Sequence, residues 1–178
     1  VSTARGHLLA LFIDRPIPAG LSPEETIRLT HAQGGLVIAP HPFDASVDSL
    51  GCQIGQQAMR ALPLDGIEVF NAGIFGPWRA ANATAQRLAV SMGVAQLGSS
   101  DAHALCAVGS GRTLFRGARA ADVYNAIRER AVSAEGEYLS YREHARQTID
   151  MVRRMGMRAF TQAVMQGARP ASVRSFGA

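Results

Sequence analysis

An apolar run that ends in two potential metal ligands constrains this chain more than any other stretch. Val94–Leu97 is typical of a buried strand, and the Gly-Ser-Ser segment 98–100 ends it just before Asp101 and His103. Because alternate side chains of an extended segment point the same way, the carboxylate and the imidazole are expected to face one point. Active sites of parallel α/β folds lie past strand ends, and this pair of ligand types suits Zn²⁺, Mn²⁺ or Fe²⁺. The alternative is a plain turn or a helix N-cap.

A second apolar run also ends in a histidine. Leu36–Ala39 is followed by His41, which lies between two prolines. Pro42 cannot continue a strand ladder, and it biases His41 away from the helical conformation. His41 is therefore expected at the carboxyl end of a strand, as are Asp101 and His103. Two neighbouring strand–helix units that both end in such residues favour one shared metal site.

These motifs resemble the second half of the polymerase and histidinol phosphatase (PHP) family. The resemblance extends over roughly residues 6 to 116, and its segments are Gly6–Asp14, Ala39–Pro42 and Gly98–His103. Members of that family fold as a distorted seven-stranded β/α barrel, bind two or three divalent metal ions and hydrolyse phosphoesters. The resemblance implies that the metal ligands here are His7, His41, Asp101 and His103, with Asp101 and His103 also catalytic.

Substrate contacts are predicted for two further residues. Asn71 ends the predicted strand Ile67–Asn71 and resembles a family position near the site, although an asparagine there is also a common turn former. Arg112 lies in a glycine-containing loop, and a guanidinium group binds phosphate in a bidentate fashion. Within the Ile67–Asn71 strand, Glu68 faces the side opposite its apolar neighbours and is expected to point towards the barrel interior.

The order of the elements predicts an α/β fold with a parallel sheet. We expect a partial PHP-type, TIM-like β/α barrel that lacks its N-terminal strands, over residues 1–138. Residues 139–178 are expected to form a C-terminal helical extension and tail that packs on it. The family opens with a His-x-His pair and further ligands that have no counterpart here, so the missing N-terminal half of the same domain is the expected partner.

The composition limits which binding partners and which cell compartment are expected. No run approaches the ~18 apolar residues of a membrane span, and Cys52 and Cys106 have no metal-type spacing, so we expect a cytoplasmic protein with two unpaired thiols. Cys106 is expected to be a small buried residue. The net charge is +4, and all 18 basic residues are arginine. That balance suits an anionic substrate without indicating a stable nucleic-acid complex.

The preferred hypothesis is a metal-dependent phosphoesterase that acts on nucleotides, oligonucleotides or small phosphomonoesters. Two or three Mn²⁺, Zn²⁺ or Fe²⁺ ions would activate a water molecule and polarise the phosphoryl oxygen. One alternative is an incomplete, non-catalytic metal-binding or structural module. A weaker alternative is a metal-dependent hydrolase of amide or lactone bonds, which uses similar sets of histidine and aspartate.

Overall fold

The computed structural model describes residues 1–157 and Thr161, and over this part the chain is a mixed α/β protein. Its strands are β1 (Ser2–Thr3), β2 (Gly6–His7), β3 (Leu9–Leu11), β4 (Leu36–Ala39), β5 (Gly66–Asn71), β6 (Ala95–Ser99), β7 (Gly111–Leu114) and β8 (Ser133–Gly136). Its α-helices are α1 (Pro23–His31), α2 (Leu50–Arg60), α3 (Ala80–Met92), α4 (Ala120–Arg128) and α5 (Tyr141–Met155). Two short 3₁₀ segments are Gly76–Arg79 and Leu105–Ala107.

The central sheet has the strand order β3-β4-β5-β6. Strands β4, β5 and β6 are parallel, as predicted, whereas β3 runs antiparallel to β4. The other two sheets are antiparallel pairs, β1 with β2 and β7 with β8. The expectation of a wholly parallel sheet is therefore wrong. The three parallel strands still bring their carboxyl ends to one edge.

The first predicted strand, residues 7–13, is two strands in the structure. His7 pairs with Ser2 in a hairpin, while Leu9 pairs with Ile38 of the central sheet, and Leu8 between them is fully buried. Phe12 adopts a positive φ of 58° and follows the end of β3. A continuous apolar run gives no signal for a change of pairing partner in its middle, so the sequence pattern did not reveal the break.

Helix boundaries follow the local signals more closely. Ser22 caps α1 by accepting a hydrogen bond from the Glu25 backbone N–H at 3.1 Å, as the Ser-Pro-Glu-Glu sequence predicts. Helix α2 is interrupted at Gly55 (φ 78°, ψ 163°), in the part where glycines predicted weakness. A reciprocal capping box between Ser140 and Glu143 begins α5. The predicted continuation of this helix face through 159–164 lies outside the described residues.

Helices cover both faces of the central sheet. One apolar cluster joins α2 and α3 to the sheet through Leu50, Met59, Leu88, Ile67 and Val69. On the other face Ile127 of α4 packs with apolar side chains of β4 and β6. The parallel strands are thus buried on both sides, which is the environment in which near-continuous apolar runs occur.

A bulge interrupts the pairing of β5 with β6. Glu68 is opposite Leu97 and Phe70 is opposite Gly98, so Val69 is an extra residue on β5. In a regular strand residues three apart point to opposite faces. The bulge removes that alternation and allows Glu68 and Asn71 to lie on one side of the strand.

The strands do not close into a barrel within residues 1–157. The expected partial barrel is therefore not confirmed, and the predicted division between 1–138 and 139–178 stays a prediction. Among the described helices, none combines the length and the apolar composition that crossing a membrane requires.

Candidate functional site

A cleft of about 310 Å³ lies at the carboxyl ends of the three parallel strands. His41 lies two residues beyond β4, Asn71 ends β5, and Asp101 lies two residues beyond β6. His7, at the end of β2, and the buried Glu68 of β5 also line the cleft. Three of the four predicted metal ligands, His7, His41 and Asp101, therefore line one cavity. The strand-end argument predicted this for His41 and Asp101, whereas His7 was implied by the family resemblance.

Backbone conformation sets this cleft apart from most of the described chain. His41 has φ 30° and Asp101 has φ 48°, and they are two of the four non-glycine residues with positive φ in the described residues. Side chains rarely adopt this region because Cβ crowds the backbone, and such strain clusters at functional sites. Pro42 was expected to bias His41 away from the helical conformation, and the positive φ of His41 lies outside the right-handed helical region.

The hydrogen bonds of Ser49 fix the proton on the ring of His41. The Ser49 hydroxyl lies 2.6 Å from the His41 carbonyl oxygen and 2.7 Å from the Asp44 carbonyl oxygen, and it has one proton to donate to them. His41 Nδ1, 3.0 Å from the same hydroxyl, must then be the donor in that contact. This tautomer leaves the Nε2 lone pair free, which is the form of histidine that binds a metal.

His7 is half-buried and packs edge-on against His41, with ring centroids 5.5 Å apart. Burial lowers the pKa of His7, the neighbouring His41 lowers it further, and Asp48 and Asp101 partly oppose the shift. Burial therefore favours the neutral imidazole at His7. Two imidazoles in one cleft are suitable ligands for a divalent transition metal.

Glu68 is the centre of the hydrogen-bond network behind the cleft. Its carboxylate is only 4% exposed and accepts hydrogen bonds from the Ser99 hydroxyl, from the His41 backbone N–H at 2.6 Å and from Asn71 Nδ2 at 3.1 Å. Burial raises the pKa of Glu68, although these three donors oppose the shift. In the sequence, Glu68 is a single charged residue within an apolar strand. That pattern predicted that its side chain points inward, but it did not predict that Glu68 positions His41.

Asn71 joins the two carboxylates of the site. Its Nδ2 donates to Glu68 Oε2 and to Asp101 Oδ2, the latter at 3.3 Å, and its Oδ1 accepts from the Gly73 backbone N–H at 2.8 Å. The side chain of Asn82 on α3 accepts a hydrogen bond from the Asn71 backbone N–H and donates one to the Asn71 carbonyl oxygen. With its side chain buried and both amide protons engaged, Asn71 positions Asp101 in this structure, and its predicted contact with a substrate stays a prediction.

His103 does not line the cleft. Its Nδ1 lies 2.8 Å from the backbone oxygen of Asp101, and its side chain is exposed. The expectation that Asp101 and His103 face one point assumed an extended segment, whereas Asp101 has a left-handed backbone that breaks the alternation. Because a carbonyl can only accept, Nδ1 carries the proton and the Nε2 lone pair of His103 is free.

Arg112 and Cys106 also lie away from the cleft. Arg112 lines a separate cavity on β7 and forms an exposed ion pair with Glu135 at 3.3 Å. Cys106 was expected to be buried, but it is exposed in the 3₁₀ segment after His103. The pairing of β7 with β8 directs Arg112 towards the opposite strand, and a position in a sheet pairing cannot be read from a loop-like Gly-Ser-Gly sequence.

The side chains of the cleft are of the types that bind a divalent metal, but they do not form a complete metal site. Two imidazoles and a carboxylate are the ligand types of Zn²⁺, Mn²⁺ and Fe²⁺ centres. However, among the described residues no three side chains of histidine, cysteine, aspartate or glutamate are arranged so that they could hold one ion together. His7, His41 and Asp101 are therefore part of a ligand set at most in this arrangement.

The fold and the cleft define an α/β protein with histidine and carboxylate side chains gathered at the ends of parallel strands. A family model described as PHP-associated matches residues 79–132, from the end of the first 3₁₀ segment to the loop before β8. This match confirms the resemblance to the PHP family and is consistent with a C-terminal part of a PHP domain.

The chain is also similar to the uncharacterized protein MJ1587 of Methanocaldococcus jannaschii. The two are 49% identical over 72 residues, which are 40% of this chain and 39% of the relative. The similarity thus spans well under half the length of that relative, whose own name states no activity.

Proposed function

We propose that this chain forms part of a metal-dependent phosphoesterase of the PHP type. The observation that carries the proposal is the gathering of His7, His41 and Asp101 in one cleft at the ends of parallel strands. The PHP-associated match at residues 79–132 also supports it, and of the three residues it includes only Asp101. Nucleotides, oligonucleotide ends and small phosphomonoesters are the proposed substrates.

In this proposal His7, His41 and Asp101 bind the metal, and His103, with a free Nε2 lone pair, remains the fourth candidate. A bound Mn²⁺, Zn²⁺ or Fe²⁺ supplies a water of lowered pKa and polarises the phosphoryl oxygen. Two or three ions require more ligands than this cleft offers. We propose that side-chain rearrangement and the N-terminal half of a PHP-type barrel, of which these strands would be a part, provide them.

The residues of this chain would then act by holding geometry. Asn71 orients the Asp101 carboxylate, Ser49 keeps the His41 proton on Nδ1, and Glu68 holds the His41 backbone in its strained conformation. Such outer contacts raise the basicity of ligands and fix their direction.

The two thiols Cys52 and Cys106 are exposed and unpaired, which supports the proposal of a reducing, cytoplasmic location.

A second candidate is a non-catalytic metal-binding or structural module. The observation that favours it is the lack of a complete three-ligand group among the described residues. Such a module would retain the cleft and its hydrogen bonds without turnover of any phosphoester.

The test compares His41→Ala and Asp101→Ala with the unaltered protein that contains the full PHP domain. Mn²⁺-stimulated hydrolysis of 4-nitrophenyl phosphate and of a short oligonucleotide is measured together with bound metal. We expect each variant to lose ~10²-fold or more in rate, because a lost ligand weakens the metal and its activated water. Cys52→Ala, at an exposed position of α2 outside the cleft, is the control.

Undiminished hydrolysis in Asp101→Ala would refute the phosphoesterase proposal. Metal binding that depends on His41 without any measurable hydrolysis would establish the second candidate instead.

A further inference from the structure

A second groove, of about 740 Å³, lies between α5 and the 3₁₀ segment Leu105–Ala107. Its charged lining is Arg146, Arg153 and Arg154 with a single carboxylate, Asp150. Three guanidinium groups against one carboxylate leave a local excess of positive charge. The cleft at the strand ends shares no lining residue with this groove, and the PHP-associated match at residues 79–132 includes its Ala104–Cys106 wall but none of its α5 residues.

The arginines share one face of α5. Positions 150, 153 and 154 follow position 146 by four, seven and eight residues, spacings that place side chains on the same side of a helix. The ion pair of Arg153 with Asp150 is long, 3.9 Å, and the Arg153 side chain is 77% exposed. An exposed pair at that distance is weak, so the guanidinium group can exchange Asp150 for a stronger anion.

We propose that this groove binds a phosphate group other than the one that reacts in the cleft. Guanidinium groups match the geometry of phosphate oxygens and bind them in bidentate fashion. Leu105, which is 93% exposed, and Ile149 supply apolar walls beside the arginines, so the groove also suits the carbon skeleton that carries such a phosphate.

One loop connects the groove to the cleft. Asp101 lines the cleft and Ala104 lines the groove, and a chain of three residues spans at most about 11 Å between their Cα atoms. Helix α5 holds the same loop at His103, where the backbone oxygen accepts from Arg154 and the backbone N–H lies 3.4 Å from Gln147 Oε1. A substrate with two phosphates can therefore place one in each site; only this link rests on the proposed phosphoesterase function.

The first test is a calorimetric titration of the full chain with inorganic pyrophosphate. Arg146→Ala and Arg153→Ala are each expected to weaken binding about tenfold, the loss of a hydrogen-bonded charged contact. Arg142→Ala is the matched control, because it removes the same charge from α5 at a residue that does not line the groove. Arg153→Lys should bind with intermediate affinity, since it keeps the charge and loses the bidentate geometry.

Failure to bind pyrophosphate, or an equal loss in Arg142→Ala, would overturn the site and reduce α5 to a generally basic helix. Circular dichroism on each variant verifies that α5 is retained, so that a loss of affinity is not a loss of the helix.

The second test separates the two sources of phosphate. The substrates are 1,4-butanediol bisphosphate and butyl phosphate. If the groove holds the substrate's second phosphate, Arg153→Ala should raise the KM for the bisphosphate about tenfold relative to the KM for butyl phosphate. An unchanged ratio together with weakened pyrophosphate binding would overturn the link to the substrate and leave a site for free phosphate. If the unaltered enzyme hydrolyses neither compound, the proposed function fails, while the pyrophosphate titration still decides on the groove.

Discussion

The side-chain amide of Asn71 donates a hydrogen bond to the Asp101 carboxylate at 3.3 Å. The same amide nitrogen donates to the buried Glu68 at 3.1 Å, so one residue separates two carboxylates that would otherwise repel each other. Asn71 is itself 1% exposed. The position of Asp101 in the cleft therefore depends on a residue that has no free donor for a substrate.

Asn71→Ala should destabilise the fold by about 1–3 kcal/mol, because the buried Glu68 carboxylate loses one of its three donors and Oε2 keeps only the His41 backbone N–H. Urea unfolding followed by circular dichroism measures the change. Asn125→Ala, at an exposed position of α4, is the control and should stay within about 0.5 kcal/mol of the unaltered protein. A loss in Asn71→Ala no larger than that of the control would mean that the network contributes nothing to stability.

Ser49→Ala should change the tautomer of His41. Without the hydroxyl, Nδ1 loses its acceptor, and the proton is free to move to Nε2, the nitrogen needed for a metal. Nitrogen chemical shifts of the His41 ring report this directly, and if the metal proposal holds, affinity for Zn²⁺ should fall about 10–100-fold. Ser46→Ala, in the same loop but bonded to Asp44, serves as the control. A His41 ring that keeps its proton on Nδ1 in Ser49→Ala would contradict the assignment.

Acidification should loosen the docking of α5 through His144. Burial lowers the pKa of His144 below 6.5, Arg79 lowers it further, and Glu143 opposes the shift; the ring packs against Phe75 at 4.9 Å. A histidine whose pKa is depressed by folding binds fewer protons in the folded state, so its stabilising contribution is present above pH 6.5 and is lost as the pH falls through the lowered pKa. Hydrogen exchange of α5 amides, corrected for the intrinsic rate, should therefore accelerate between pH 7.5 and pH 5.

His144→Phe keeps a ring against Phe75 and removes the titrating group, so it should abolish this pH dependence. His31→Gln changes a histidine on α1 and should leave the behaviour of α5 as it is. Persistence of the acid effect in His144→Phe would assign it to another group.

Gly111→Ala should be much more harmful than Gly34→Ala. A Cβ at Gly111 would lie 2.0 Å from the Ser99 carbonyl oxygen, where β7 crosses β6, so the backbone would have to move. Gly34 has open space around it and only a positive φ of 74°, which costs about 1–2 kcal/mol for a side chain. Urea unfolding should rank the two variants in this order, and the reverse order would show that β7 does not pack against β6 as closely as described.

Local signals carried most of the helix assignments and the placement of two site residues, His41 and Asp101. The Ser22 cap, the glycines of α2 and the apolar runs before His41 and Asp101 act over a few residues, so the sequence reveals them without knowledge of the partner strands. The convergence of His41 and Asp101 followed from one general rule, that parallel strands share an edge for their carboxyl ends.

Two of the features that the sequence did not reveal are set by long-range pairing, and a third is a local backbone turn. The antiparallel placement of Leu9–Leu11 depends on contacts with β4, more than twenty residues away. The left-handed turn at Asp101 redirected His103, and the pairing of β7 with β8 directed Arg112 to Glu135. None of these changes the composition or the periodicity of the segment in which it occurs.

The extra residue Val69 places Asn71 three positions after Glu68, which is an odd number. In an uninterrupted pleat the two side chains would leave the strand on opposite faces, and Asn71 would reach neither carboxylate. A deletion of Val69 would leave Glu68 and Asn71 two positions apart in a regular pleat, so both side chains would still lie on one face and Asn71 could still reach Asp101. Val69 itself is buried in the apolar core. The bulge therefore adds one apolar side chain to the core without moving the support of a carboxylate that belongs to a different strand end.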